Sequence, residues 1–319
     1  MLRSFFITLS KAGWVKNVVT HWGVAWRAAS RFIAGETRED GIRVAQELNS
    51  RGMQVTLDFL GENTETEQDA EAATEEILSL LDAIQQAGVR SNVSIKLSQF
   101  GLVLDEALCR QNVERICQRA KEYGNFVRID MEESALADKT LGIYYGLRDR
   151  GYDNCGVVIQ AYLYRSEEDI RRLAGMNGRV RLCKGAYQEP ADRAYPKKND
   201  VDANYDHLAT LLLEAARNPE APLASEDGRF PPLAAIATHD MARISYVQNS
   251  ARLMGLPNRS FEFQMLYGIR RDIQDRLAAA SYPLRIYVPY GTHWYPYYMR
   301  RLAERPANVW FFLSNFFRR

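Results

Sequence analysis

Near the C-terminal end of the chain, Tyr297, Arg300, Arg301 and Glu304 fall at i, i+3, i+4 and i+7, the spacing of one helical face. Adjacent arginines usually face solvent. Here they share phase with an aromatic ring and a carboxylate, just after a strand-like run containing Tyr287. Guanidinium forks match carboxylates bidentately, so the pattern points to an anion clamp for a small carboxylate or phosphate. Lys96 in NVSIKL would add a third positive charge. A second cluster, RLCKGAY, sets Arg181 and Lys184 beside Gly185, where the backbone permits close approach of a phosphate or an electron-rich ring.

These side chains need a scaffold that gathers them. Eight β-branched runs supply one: Gln54–Phe59, Asn92–Leu97, Phe126–Asp130, Gly156–Tyr162, Arg179–Lys184, Leu233–His239, Ser260–Met265 and Arg285–Tyr290. Most precede a segment of helical periodicity, such as Ile77, Leu80, Leu81 and Ile84, and several helices close on a glycine, as at Gly88. Eight strand–helix units in ~250 residues suit an α/β fold of the (βα)8 TIM-barrel type. An open doubly wound sheet is the competitor, but neither GxGxxG nor GxxxxGK[ST] occurs. In a barrel the strand C-termini face the site. That rim reads Asp58, Lys96, Asp130, Gln160, Arg181 with Lys184, Thr238 with His239, Glu262 with Gln264, and Tyr287. Solvation accounts for one such residue; eight polar ends on one rim favour a site.

The 319 residues carry 41 Lys+Arg against 40 Asp+Glu, a net charge of +1, which argues against nucleic-acid binding. Four cysteines without a CxxC pair make neither a disulfide framework nor a zinc site, and suggest a reducing compartment. No metal is expected. The division expected is an N-terminal helical arm over 1–50, the barrel over 51–305 and an aromatic, basic tail over 306–319, with the last helix over the barrel mouth. Residues 1–35 hold no acidic residue, and Trp310, Phe311, Phe312, Phe316 and Phe317 mark the tail. Either segment could pack on the domain or lie on a membrane surface. With no spanning segment or signal, the location expected is cytoplasmic, with peripheral contact at the inner membrane face an option.

The segments SIKLS, RIDMEE, VIQAY, RLCKGAY, ATHD, FEFQMLYG, YVPYG and YYMRRLAERPAN occur in the order found in the proline dehydrogenases, which the chain resembles along the whole barrel. The length resembles the single-activity bacterial form. The resemblance implies oxidation of L-proline to Δ1-pyrroline-5-carboxylate by hydride transfer to non-covalent FAD, with a membrane quinone receiving the electrons. It implies that Lys96, Arg300 and Arg301 bind the proline carboxylate while Tyr287, Tyr297 and Leu266 pack round the ring. Glu62 would pair with Arg300 as a gate. Asp130 and Arg181 would be catalytic, Arg181 near flavin N5. Met131, Gln160, Lys184, Gly185, Ala186, Thr238, His239 and Glu304 would line the rest of FAD. Gln188 departs from the family, in which an aromatic residue often follows KGAY.

Two other readings compete. A Schiff-base aldolase or lyase acting on a small carboxylate could use Lys96 or Lys184, since a desolvated lysine near other cations becomes nucleophilic. A membrane-surface binding protein would rest on the arm and tail, but leaves the polar rim unexplained.

Overall fold

A computed structural model describes residues 26, 29–61 and 64–304, with the side chains of 302–304 excepted. Glu62, the side chain of Glu304, most of the basic arm and the aromatic tail therefore lie outside the described residues. The elements alternate as the periodicity requires: α1 (Arg38–Ser50), β1 (Gln54–Phe59), α2 (Glu67–Ala87), β2 (Ser91–Ile95), α3 (Glu106–Glu122), β3 (Val127–Ile129), α4 (Ala137–Asp149) and β4 (Cys155–Gln160). They continue as α5 (Ser166–Gly175), β5 (Arg179–Cys183), α6 (Lys198–Ala215), β6 (Ala234–Ala237), α7 (Met241–Leu253), β7 (Phe261–Leu266), α8 (Arg271–Ala279), β8 (Leu284–Tyr290) and α9 (Trp294–Glu304). The eight strands close into one parallel barrel in sequence order, β8 pairing with β1. Thr66 opens α2 with a capping box to Asp69, and Gly88 closes it in the left-handed conformation (φ 62°) that a side chain would resist.

The strands are divided by parity. Val55, Leu57, Val93, Ile95, Val127, Ile129, Val157, Ile159, Val180 and Leu182 are fully apolar and buried against the helices. The alternate positions carry Thr56, Asp58, Asn92, Ser94, Arg128, Gln160, Arg181, Glu262, Gln264, Arg285 and Tyr287. These face the lumen, because Tyr287 on β8 bonds just beyond β3, and Arg181 on β5 reaches Ser94 on β2. Strands that are not neighbours can meet only across the interior. Branched aliphatics usually fill a barrel of this kind. Here the hydrophobic core lies outside the sheet, and the lumen is a column of charges and hydrogen bonds.

α1 packs on the outer faces of β1 and β8, a place that a helix following β8 would otherwise take. α9 instead buries Trp294, Tyr295 and Tyr298 with Ala29, Ile33 and Leu60, beside the C-terminal end of β1. Leu60 N–H donates to Tyr290 O at 2.7 Å and His293 N–H to Leu60 O at 3.3 Å, which fixes α9 over the barrel mouth. Among the described residues no helix is long and apolar enough to cross a membrane.

Candidate active site

At the mouth, β2 ends by delivering Lys96 into a cage. Its Nζ donates to Asp58 Oδ1 at 2.6 Å and to the Tyr287 hydroxyl at 3.2 Å, and lies 3.4 Å from Asp130 Oδ2. Tyr287 donates in turn to Asp130 Oδ2 at 3.0 Å. The other carboxylate oxygen of Asp130 accepts from Arg181 Nη1 at 2.9 Å and from Ser94 Oγ at 2.8 Å. Asp130 thus joins Lys96, Arg181 and Tyr287, and the Arg181 guanidinium lies over the Tyr287 ring, 5.2 Å from its centroid.

The charges respond to that arrangement. Burial works to lower the Lys96 ammonium, but Asp58 and Asp130 outweigh it and hold the lysine above its ordinary range. Burial also opposes ionisation of Asp130, yet Lys96 and Arg181, with bonds from Ser94 and Tyr287, keep it below the usual carboxylate value. Asp58 goes the other way: burial, with Asp130 as a like charge, raises it despite Lys96. Two carboxyl groups and two cationic side chains therefore share the cage, Asp130 being the one whose ionised form the surroundings favour. A cationic lysine at neutral pH is a poor nucleophile, which removes the main support for a Schiff base on Lys96. Lys184 gives that reading no more, being ion-paired with Asp202 Oδ1 and with Asp240 Oδ2 at 2.9 Å.

The arginine pair joins the same mouth. Arg301 on α9 is nine-tenths buried and lies over the Tyr297 ring at 5.0 Å, the i, i+4 pairing that the spacing predicts. Arg300 is linked through Tyr187, whose phenol is pushed up to about 12, chiefly by burial and then by Glu132, with Lys96 and Arg300 pulling against them. Lys96, Asp130 and Arg181 are therefore in direct contact, and Arg300 acts with Lys96 on the Tyr187 phenol. Tyr187 was not singled out from the sequence, although it closes the RLCKGAY motif. Ser94 and Glu132 were missed too. Glu132 accepts from both the N–H and the hydroxyl of Ser98, at 3.0 and 2.6 Å, and so pins the turn after Lys96.

The remaining predicted residues flank this cage. Gln160 is buried and donates to Met131 O at 3.1 Å, tying β4 to the loop after β3. His239 Nε2 accepts from Leu266 N–H at 2.9 Å, so that nitrogen carries no proton, and the ends of β6 and β7 are joined. Thr238 is buried beside it, its hydroxyl accepting from Asp240 N–H. Gly185 adopts φ 110°, and an added Cβ would stand 2.3 Å from the Tyr162 ring, so this turn requires glycine. Ala186, next along, is exposed. Glu262 and Gln264 differ from expectation. Glu262 sits at the floor of the lumen, where Arg285 Nε binds it at 2.9 Å and Gln264 donates to it. It belongs to the second position of its strand, not the rim.

At the mouth, buried polar atoms remain without hydrogen-bond partners: Arg181 Nε and Nη2, Gln160 Oε1 and Asp58 Oδ2. Buried donors and acceptors are ordinarily satisfied. The two Arg181 donors and the Gln160 acceptor, from neighbouring strands, suit a polar heteroaromatic ligand edge.

Comparison with known proteins supplies the context. The family model described as "Proline dehydrogenase" matches residues 42–313. The chain is 39% identical over 309 residues to "Proline dehydrogenase 2" of Bacillus subtilis (strain 168), covering 97% of this chain and 96% of that one. It is 40% identical over 290 residues to "Proline dehydrogenase" of Deinococcus radiodurans, covering 90% and 89%. Among solved structures, proline utilization A (PutA) from Bdellovibrio bacteriovorus inactivated by N-propargylglycine superposes with a TM-score of 0.79 at 25% identity. That match covers 88% of this chain and 33% of the other.

Proposed function

The chain belongs to the proline dehydrogenase family, an oxidoreductase family that opens proline catabolism, and from that premise we propose the finer chemistry of its site. The substrate is L-proline, the product Δ1-pyrroline-5-carboxylate, the cofactor non-covalent FAD, and the onward acceptor a quinone. FAD, when bound, supplies the hydride acceptor. Arg181, Gln160, Met131, Lys184, Gly185, Ala186, Thr238, His239 and Glu304 would hold it. The observation that carries this reading is the pair of buried, unpartnered Arg181 donors beside the Lys96–Asp130–Tyr287 cage. Donors fixed in a dry site stabilise charge that develops during reaction, at no cost of reorganisation.

The residues divide the work on the substrate. Asp58 and Asp130 neutralise Lys96 and Arg181, so Arg300 and Arg301 supply the excess positive charge for the proline carboxylate. Lys96 adds an ammonium already oriented by two acceptors. Tyr287, held at its hydroxyl from both sides, forms a rigid wall for the pyrrolidine ring, with Tyr297 and Leu266. Proline must react as the neutral amine, because the lone pair is needed as the donor C–H bond breaks. The arginine pair disfavours a further cation and so favours that form. Glu62 would close over substrate by pairing with Arg300. Holding the reacting carbon within ~3–3.5 Å of the acceptor supplies much of the acceleration.

The test is the visible spectrum of the purified protein. Flavin absorption bleached by L-proline without oxygen is expected. A protein that stays colourless after incubation with FAD, or a flavin that proline does not reduce, overturns the reading. The onward acceptor is checked by whether a soluble quinone reoxidises the bleached protein.

A further inference from the structure

Ser94 is the fourth of the five residues of β2, on the lumen side, with 1% of its surface exposed. Its hydroxyl donates to Asp130 Oδ1 at 2.8 Å, and its oxygen lies 3.4 Å from Arg181 Nη1. Both members of the Asp130–Arg181 ion pair therefore touch one small side chain. The pair needs such a joint. Asp130 Oδ2 is directed by Tyr287 and Lys96, so Oδ1 alone orients Arg181, through Nη1 alone. A single N–H···O contact leaves a guanidinium free to swing about it, unlike a bidentate fork. Nε and Nη2 make no hydrogen bond that would stop the swing, and the Tyr287 ring limits it only on the face it covers.

We propose that Ser94 is a positioning residue: it locks Asp130 Oδ1 and Arg181 Nη1 together, so that Arg181 presents Nε and Nη2 in one direction to the cofactor. The proposal rests on the flavoenzyme reading above. It separates Ser94 from the groups that grip proline, since Lys96, Arg300 and Arg301 do not depend on it for charge or reach. Loss of the hydroxyl is thus expected in turnover and in cofactor electronics rather than in substrate affinity.

The holoenzyme of Ser94→Ala is compared with wild type and with Ser94→Thr, which keeps the hydroxyl. For Ser94→Ala, kcat is expected to fall about tenfold with KM for proline within about twofold. FAD content should stay at the wild-type level, and the midpoint potential of the bound flavin should drop, because Arg181 no longer faces the charge gained on reduction. Ser94→Thr should restore both kcat and potential. Should the alanine variant not retain flavin, Ser94→Cys replaces it, with similar volume and a weak donor, and the same split is expected. Wild-type kcat and potential in the variant overturn the proposal. So does a fall in kcat with an unmoved potential and no restoration by threonine, the signature of a purely structural role. The potential is titrated chemically without proline, so failure of the proline reading leaves this arm readable.

Discussion

Both ends of the barrel lumen hold an arginine fixed by a carboxylate, yet the two arginines are satisfied very differently. At the floor, Arg285 and Glu262 are each 1% exposed; Arg285 meets Glu262 through Nε at 2.9 Å and Nη2 at 3.2 Å. Its Nη1 donates to Val55 O at 3.0 Å and Nη2 to Gly228 O at 2.8 Å, so every guanidinium nitrogen has a partner. At the mouth, Arg181 is nearly as buried but uses only Nη1. A buried charge with unused donors costs stability; Arg128, deeper in the lumen, leaves one such donor at Nη2, whereas Arg181 leaves two at the mouth. The floor is closed upon itself, whereas the mouth keeps donors that the proposed cofactor would use.

That contrast is most severely tested at the floor. Glu262→Ala leaves Arg285 buried without its counter-charge, a change that costs about 3–5 kcal/mol. Chemical denaturation should report that loss. The fraction still folded at low temperature should oxidise proline with near wild-type kcat. At the mouth, Asp130→Asn should invert the outcome. It keeps the shape, removes the charge shared by Lys96 and Arg181, and should lower kcat/KM about 100-fold, which is about 2.7 kcal/mol. Its denaturation midpoint should move much less than that of Glu262→Ala. Equal losses of stability in the two variants would erase the distinction between the ends.

Parity explains how much of this could be read beforehand. The eight strands are legible to within two residues at each end, because their apolar positions repeat against the helices and their C-termini switch to polar residues. Lys96, Asp130, Gln160, Arg181 and Tyr287 followed from that switch, and Arg301 over Tyr297 followed from helical spacing. Depth in the lumen did not follow. In FEFQML, Glu262, Gln264 and Leu266 share one parity, and only the pairing of Ala235 with Glu262 puts the first of them near the floor. Register is a property of two strands, so no single run contains it. Ser94 was silent for the same reason: a serine within a strand gains meaning only from Asp130 and Arg181 opposite. The partners of Lys96 altered the electrostatic picture as well, since Asp58 and Asp130 lie against an ammonium that the rim alone counted as free.

Smaller effects sharpen the mouth itself. Arg301→Lys keeps the charge but loses the fork and much of the contact with Tyr297. A loss of ~10–100-fold in kcat/KM is expected, with flavin content unchanged, since hydrogen bonds to charged groups contribute ~1.5–3 kcal/mol. Unchanged efficiency would place the clamp elsewhere. Glu62→Ala should be milder, raising KM a few-fold (about threefold) while leaving kcat close to wild type, because a gate acts on substrate retention. An equal response at low and saturating proline would remove the gate.

The smallest expected effect is a limb missing from the pH profile. Burial raises the Tyr287 phenol well above its ordinary value, with Asp130 and Asp58 adding to the shift, and Tyr187 is pushed up to about 12. Lys96 is held above the normal lysine range by the carboxylates around it. Each is a group kept in its protonated form, so rising pH has to pass its raised value before the cage changes charge. Through the neutral and mildly alkaline range these three groups keep their protonated forms, and kcat/KM for proline should rise as the substrate amine deprotonates. A descending limb near pH 9 in wild type, absent from Tyr187→Phe, would mean that the Tyr187 phenol ionises there. The mouth would then be wetter than its burial implies, and its unused arginine donors would be meeting water instead of waiting for a ligand.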